Sequence, residues 1–125
     1  MYKRLICKTK EGISVYEVHG REVRDDLSVE FALGGHGAVY PKFIPDNEVW
    51  VEELPDSEDQ CFNINQNLAE MFLMRLGTGY REAHLVANKL EKRERRLGRC
   101  KPCGGAKTDS MIEEMIQTVF AFLPG

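Results

Sequence analysis

The sequence predicts an α+β domain, with a small, mainly antiparallel sheet in the N-terminal half and three helices in the C-terminal half packed on one face of it. Two observations carry that prediction. Segments rich in β-formers fill the chain up to Glu53, and from Ser57 onward apolar residues recur at helical spacing. A chain of 125 residues with 42% hydrophobic and 30% charged side chains suits one globular domain over residues 1–125 with a single core.

Each element has its own signal. Residues 4–9 and 13–18 read as strands joined by Lys10-Glu11-Gly12, a short hairpin connection. His19-Gly20 reads as a turn, and 21–31, with Val23, Leu27, Val29 and Phe31 apolar, as a strand or as a short helix followed by one. Gly34-Gly35-His36-Gly37 reads as a break, because glycine accepts backbone angles that other residues resist. Residues 39–43 and 48–53 are predicted as further strands, split by the turn Ile44-Pro45-Asp46-Asn47, and Trp50 is expected where sheet meets helix. Ile64, Leu68, Met71, Phe72 and Leu76 mark a first long helix that ends at Gly77-Thr78-Gly79. Tyr80, Ala83, Ala87 and Leu90 line a second, which frays near Gly98. A Cys/Gly loop over 99–107 leads to a C-terminal helix over 108–122, begun by Thr108 or Asp109 as cap. Its Met111, Ile112, Met115, Ile116, Val119 and Phe120 form a wide apolar surface, suited to the protein's own core or to a homodimer.

No apolar run approaches the roughly 18 residues of a membrane span, and Met1-Tyr2-Lys3-Arg4 is too quickly polar for a signal peptide, so a cytoplasmic protein without membrane contact is expected. A net charge of −3 argues against broad nucleic-acid binding. The cations are nevertheless clustered. Lys92, Arg93, Arg95, Arg96 and Arg99, flanked by Lys89 and Lys101, form a candidate phosphate-binding stretch. The plainer reading is a solvated helix end whose cations complement the helix dipole, since no aromatic residues interleave to stack on bases. In a chain without an export signal, the four cysteines are expected as free thiols or metal ligands. Only Cys100 and Cys103 have ligand-like spacing. One such knuckle needs a second pair, so Cys7 and Cys61 would have to converge on it, or a neighbouring molecule would supply ligands.

The chemistry centres on Gln66-Asn67-Leu68-Ala69-Glu70 and on 80–91, two consecutive helices that bring Gln66, Glu70, His84 and Glu91 within reach of one another. In the H-E-x-x-H pattern of zinc proteases, residues at i and i+4 hold the metal and the residue at i+1 activates water. Gln66, Glu70 and Asn67 occupy those positions here. Taken singly, Glu70 reads as a surface or capping carboxylate and His84 as an ordinary polar residue.

Val29-Glu30-Phe31, Gly34-Gly35-His36-Gly37, Val39-Tyr40-Pro41, Phe43-Ile44-Pro45 and Glu48-Val49-Trp50-Val51 occur in that order, followed by Leu68, Glu70, Leu73-Met74, Gly77, Tyr80, Ala83-His84, Ala87 and Glu91. Over about residues 21–95 this pattern resembles a family of small phage-borne or bacterial proteins described as zincin-like metallopeptidases. The resemblance implies a zincin-like fold and a metal held beside the central helix. Glu70, His84 and Glu91 would be residual ligands, with His36 and Tyr40 nearby. Where the family has His then Glu, however, this chain has Gln66 then Asn67, so a ligand and the general base are both replaced. The expectation is a catalytically degenerate protein, phage- or prophage-encoded, that acts in the host cytoplasm. It would bind a partner protein, such as a host defence component, and need no cofactor, with zinc the candidate if one is held. The alternatives are a metal-dependent hydrolase with rearranged ligands, and nucleic-acid binding through the 89–101 basic cluster.

Overall fold

A computed structural model describes residues 1–98 and 100–104, and its architecture is α+β. The chain opens with strand β1 (Lys3–Lys8) and strand β2 (Ser14–Val18), an antiparallel pair. Their connection turns at Gly12, whose φ of +87° lies in the left-handed region that glycine tolerates. Helix α1 (Gly20–Asp26), strand β3 (Gly34–His36), strand β4 (Glu48–Glu52), helix α2 (Ser57–Arg75) and helix α3 (Tyr80–Leu97) follow, and a 3-10 turn spans Pro102–Gly104. The four strands lie in the order β1-β2-β4-β3. β2 runs parallel to β4 and the other two pairings are antiparallel, so the sheet is mainly antiparallel.

Three local expectations are corrected. The glycine run is not a break: Gly34–His36 pairs with β4 as an edge strand. Its glycines serve close approach rather than unusual angles, since none of them has a positive φ and it is Leu33, at +61°, that turns the chain. A Cβ on Gly35 would sit 2.5 Å from the Tyr40 ring, and one on Gly37 2.5 Å from the Pro45 carbonyl oxygen. Residues 39–43 form turns in place of a strand. The N–H groups of Val39 and Tyr40 bond the His36 carbonyl, and those of Phe43 and Ile44 bond that of Tyr40, so the backbone is satisfied locally. Residues 21–31 hold helix α1 and no strand, with Phe31 buried at the end of the segment.

The sheet is covered on both faces, not on one. Val15, Val49 and Val51 meet Ile64, Leu68 and Met71 of α2. From the other face Val18 and Trp50 pack with Val23 of α1, Phe31 and Ile44. Alternation along β4 requires this, because Val49 and Val51 point one way and Trp50 the other. Trp50 therefore lies under α1 and the 31–44 turns, away from the long helices. α3 packs outside α2 through Ala83, Val86, Ala87 and Leu90 against Ala69 and Leu73. Asp56 caps α2 by accepting from the Glu58 N–H at 2.8 Å, and Gly77 (φ +101°) and Gly98 (φ +67°) follow the ends of the two helices. No described helix is long and apolar enough to cross a membrane.

The cysteines are not free thiols. Cys7 is bonded to Cys103 and Cys61 to Cys100. The cause is tertiary, because the 100–104 segment lies against both α2 and β1 and brings Cα atoms to 6.3 and 6.1 Å, within bridging range. The helix predicted over 108–122, the dimer surface drawn on it, and Arg99 lie outside the described residues.

One buried carboxylate ties the sheet to the start of α2. Glu17 on β2 accepts from Gln60 Nε2 at 2.7 Å, from the Tyr2 hydroxyl at 2.7 Å and from Arg4 Nη2 at 3.2 Å. Burial alone would raise its pKa, but the bonds from Gln60, Tyr2 and Arg4 outweigh it and hold the group at about 2. A carboxyl depressed in the folded state adds stability above its unfolded pKa of about 4.3, and that stability fades as pH falls toward the folded value. Glu17→Gln is therefore expected to cost roughly 2–3 kcal/mol at neutral pH and to flatten the loss of stability between pH ~4.5 and ~2. Urea denaturation across that pH range measures both effects.

Candidate functional site

The two long helices and the edge strand meet at Glu70. This residue lies on the α2 face that looks toward both β3 and α3, and it is 5% exposed. His36, fully buried at the end of β3, donates from Nε2 to Glu70 Oε1 at 2.8 Å. From α3, His84 donates from Nδ1 to Glu70 Oε2 at 2.8 Å. A carboxylate can only accept, so both imidazoles present N–H groups to it and each oxygen is occupied. Burial pushes the Glu70 carboxyl upward, but the two histidine hydrogen bonds more than offset it and hold the group below the ordinary carboxylate range.

Around this bridge lie two phenols. The Tyr80 ring stacks on His84 with centroids 5.5 Å apart. Tyr40 covers Gly35 and donates its hydroxyl to the Glu30 carbonyl at 3.1 Å. Burial, then the neighbouring Glu70 charge, raises the pKa of Tyr80. Tyr40 is raised by burial and by Tyr80, Glu30 and Glu70, so both phenols stay protonated beside the anion.

The two positions that distinguish this chain from the zinc-protease pattern are occupied with amide hydrogen bonds. Gln66 Nε2 donates to Asn88 Oδ1 of α3. Asn67 Nδ2 donates to the Asn63 carbonyl at 2.9 Å and to Asn63 Oδ1 at 3.0 Å. Asn63 in turn donates to the Leu33 carbonyl at 2.9 Å, which ties the helix to the strained residue before β3. The amides form a polar seam that staples α2 to its neighbours.

Of the residues read from the sequence, Glu70, His84 and His36 come together, and Tyr40 lies beside them. Glu91 does not join them: its carboxylate accepts from Arg95 Nε at 2.9 Å, one turn along the same helix. Arg95 also pairs with Asp59 at 2.7 Å and stacks over Phe62, so part of the basic cluster is spent on holding α3 to α2. Lys92, Arg93 and Arg96 are exposed. Asn63, Asn88 and the exposed Tyr80 are participants that sequence reasoning missed. The signal for them was spacing, since Asn63 stands four residues before Asn67, and Tyr80 and Asn88 four on either side of His84.

The residues present do not fit a catalytic zinc site. Both Glu70 oxygens are bonded to imidazole N–H groups, the Gln66 amide is bonded to Asn88 of α3 and that of Asn67 to Asn63 of its own helix, and no group of three or more His, Cys, Asp or Glu among the described residues is arranged to hold a metal ion. What the cluster can do is narrower. With Nδ1 on Glu70, His84 turns its other nitrogen outward from a side chain that is 46% exposed, which is the arrangement of an oriented proton acceptor or hydrogen-bonding group. No protein-family model matches the chain, and neither the curated proteins nor the solved structures contain a significant match.

Proposed function

We propose that this is a catalytically degenerate, metallopeptidase-like protein of phage or prophage type, which acts in the host cytoplasm by binding a partner protein. The observation that supports it most is the fate of the central helix: amides stand where a ligand and a base are needed, and both are committed to neighbouring amides. Without a base to position and deprotonate water, hydrolysis has no starting point. The remaining Glu70 bridge then serves as a rigid frame. Leu33, bonded by Asn63, precedes β3, and His36 at the other end of that strand leads through Glu70 and His84 to Tyr80; Leu33 at 55% and Tyr80 at 46% exposed offer apolar and aromatic anchors. The partner class, a host defence component, rests on the phage resemblance alone.

The test is paired. The native chain supplied with zinc should cleave an unfolded-protein substrate no faster than buffer. Leu33→Asp and Tyr80→Glu, each exposed and outside the core, should abolish co-purification of the partner from host cells while leaving the thermal melt unchanged. Partner capture that survives both substitutions would contradict this assignment of the surface.

A second reading, a hydrolase with rearranged ligands, is favoured by one feature, the outward nitrogen of His84 with a carboxylate behind it. It requires turnover that disappears in His84→Gln. Nucleic-acid binding is weaker still, because Asp59 and Glu91 neutralise Arg95 in the middle of the cluster.

A further inference from the structure

The outer side of α3 carries a stripe of positive charge. At 3.6 residues per turn, Arg81, Leu85, Lys89, Lys92 and Arg96 fall within about 80° of one another around the helix axis, over a length of roughly 22 Å. All five are exposed, and Leu85, in the middle of the cations, is 57% exposed. The stripe lies on the far side of the helix from Ala83, Val86, Ala87 and Leu90, which pack on α2. No carboxylate of α3 stands within that arc. Glu82 lies at one margin, in the first turn, and Glu91 lies beyond the other, where it accepts from Arg95.

Helix stability does not call for this stripe. Elsewhere cations are engaged within the fold, Lys3 with Glu48, Arg24 with Glu52, and Arg95 with Asp59 and Glu91. Arg81, Lys92 and Arg96 form no ion pair with another described residue. Lys92 and Arg96 stand four residues apart, a like-charge spacing that destabilises a helix. The helix dipole explains only part of the pattern. Cations complement it in the last turn, which suits Arg95 and Arg96, but Arg81 sits in the first turn, at the positive end. An anionic partner along the whole face would relieve each of these costs at once.

We propose that this face of α3 binds an acidic amphipathic helix of the partner protein, whose carboxylates meet Arg81, Lys92 and Arg96 around an apolar contact at Leu85. The proposal rests on the reading of this chain as a partner-binding protein and adds the chemistry of the partner's surface. The stripe starts one residue after Tyr80, so it continues from the aromatic anchor assigned above. Its length matches about 15 residues of a second helix. Charges on facing helices set partner choice and orientation, and an apolar centre supplies buried contact. A nucleic-acid duplex fits less well. Phosphates offer nothing to Leu85, no aromatic residue stands in the stripe to stack on bases, and Glu82 and Glu91 at its margins would repel a broad polyanion. An anionic membrane fits less well too, since a single leucine without aromatic neighbours gives little surface to insert.

The full chain is titrated, with fluorescence anisotropy as the readout, into a labelled synthetic peptide: an amphipathic helix with glutamates along one face and a leucine midway. A saturable one-to-one complex that weakens with added salt is expected. Exchanging the peptide's glutamates for glutamine should abolish binding, and exchanging its leucine for glutamine should weaken it. Arg81→Glu/Lys92→Glu and Leu85→Glu should each weaken binding about tenfold, whereas Lys8→Glu, at an exposed position of β1, should not. All three variants should melt at the native temperature, because the substituted side chains lie on the surface. A short DNA duplex of random sequence and vesicles of equal parts phosphatidylserine and phosphatidylcholine serve as rival probes. Binding of either as tight as that of the peptide, no binding of the peptide, or unchanged affinity in Arg81→Glu/Lys92→Glu would overturn the proposal. A chain that ignores the peptide yet loses its host partner on Leu33→Asp and Tyr80→Glu overturns this surface alone. One that binds the peptide but keeps its host partner in both of those variants overturns only the surface at Leu33 and Tyr80.

Discussion

Glu70→Ala is expected to be the most damaging single substitution in the described structure, at roughly 3–5 kcal/mol, the cost of removing one partner from a buried charged network. The magnitude follows from what remains. His36 is fully buried and its Nδ1 has no hydrogen-bond partner among the described residues, so loss of the carboxylate deprives the ring of the hydrogen bond it makes through Nε2. His84 loses its anchor as well, and the contact of α3 with β3 through α2 goes with it. Glu70→Gln keeps the shape and one acceptor oxygen and should cost about 1–2 kcal/mol. The pH dependence has a definite sign. Since the Glu70 carboxyl is held below the ordinary range, its contribution is complete above the unfolded value of about 4.3 and is lost as pH falls through the lower, folded value. Chemical denaturation of the two variants at neutral and acid pH reads out both. A Glu70→Ala variant as stable as the native chain would mean that the bridge does not hold the helices together.

Reduction of the two disulfides should produce an effect of similar size. Cys7–Cys103 closes a loop of 96 residues and Cys61–Cys100 one of 39, and loop-closure entropy assigns about 4–5 kcal/mol to each, less in combination because the loops overlap. For a domain of this size that corresponds to a fall in Tm on the order of 15 °C or more. Thermal melts with and without reductant measure it. An unchanged Tm would show that the 100–104 segment contributes nothing to the fold it is tied to.

Much of the fold could be read from local signals. The hairpin at Gly12, the strand around Trp50 and both long helices follow from alternation, helical spacing and caps, which depend on neighbours in sequence. The errors fall where distant residues decide. Residues 39–43 have strand composition, yet Tyr40, Phe43 and Ile44 are used to cover Trp50 and Gly35 from above, and a turn satisfies their backbone. Gly34, Gly35 and Gly37 look like a break until the Tyr40 ring and the Pro45 carbonyl that press on them are known. At the site, Glu70 and His84 share a helical pair and were readable together. His36 reached them only through the sheet register, and Glu91 left them because Arg95, four residues on, competes for its carboxylate. The disulfides were hidden because sequence reports how many cysteines there are and how they are spaced, while pairing depends on where the 100–104 segment packs.

The proposal that the Glu70 cluster is a structural frame without hydrolytic chemistry stands or falls on zinc content. Elemental analysis would compare the native chain, Glu70→Gln/His84→Gln and Gln66→His/Asn67→Glu, all purified under the same conditions. The native chain and Glu70→Gln/His84→Gln should carry no zinc, and only the chain with histidine and glutamate restored should gain an equivalent. About one equivalent of zinc in the native chain that is lost on changing Glu70 and His84 would contradict it, because the central helix would then still hold a metal.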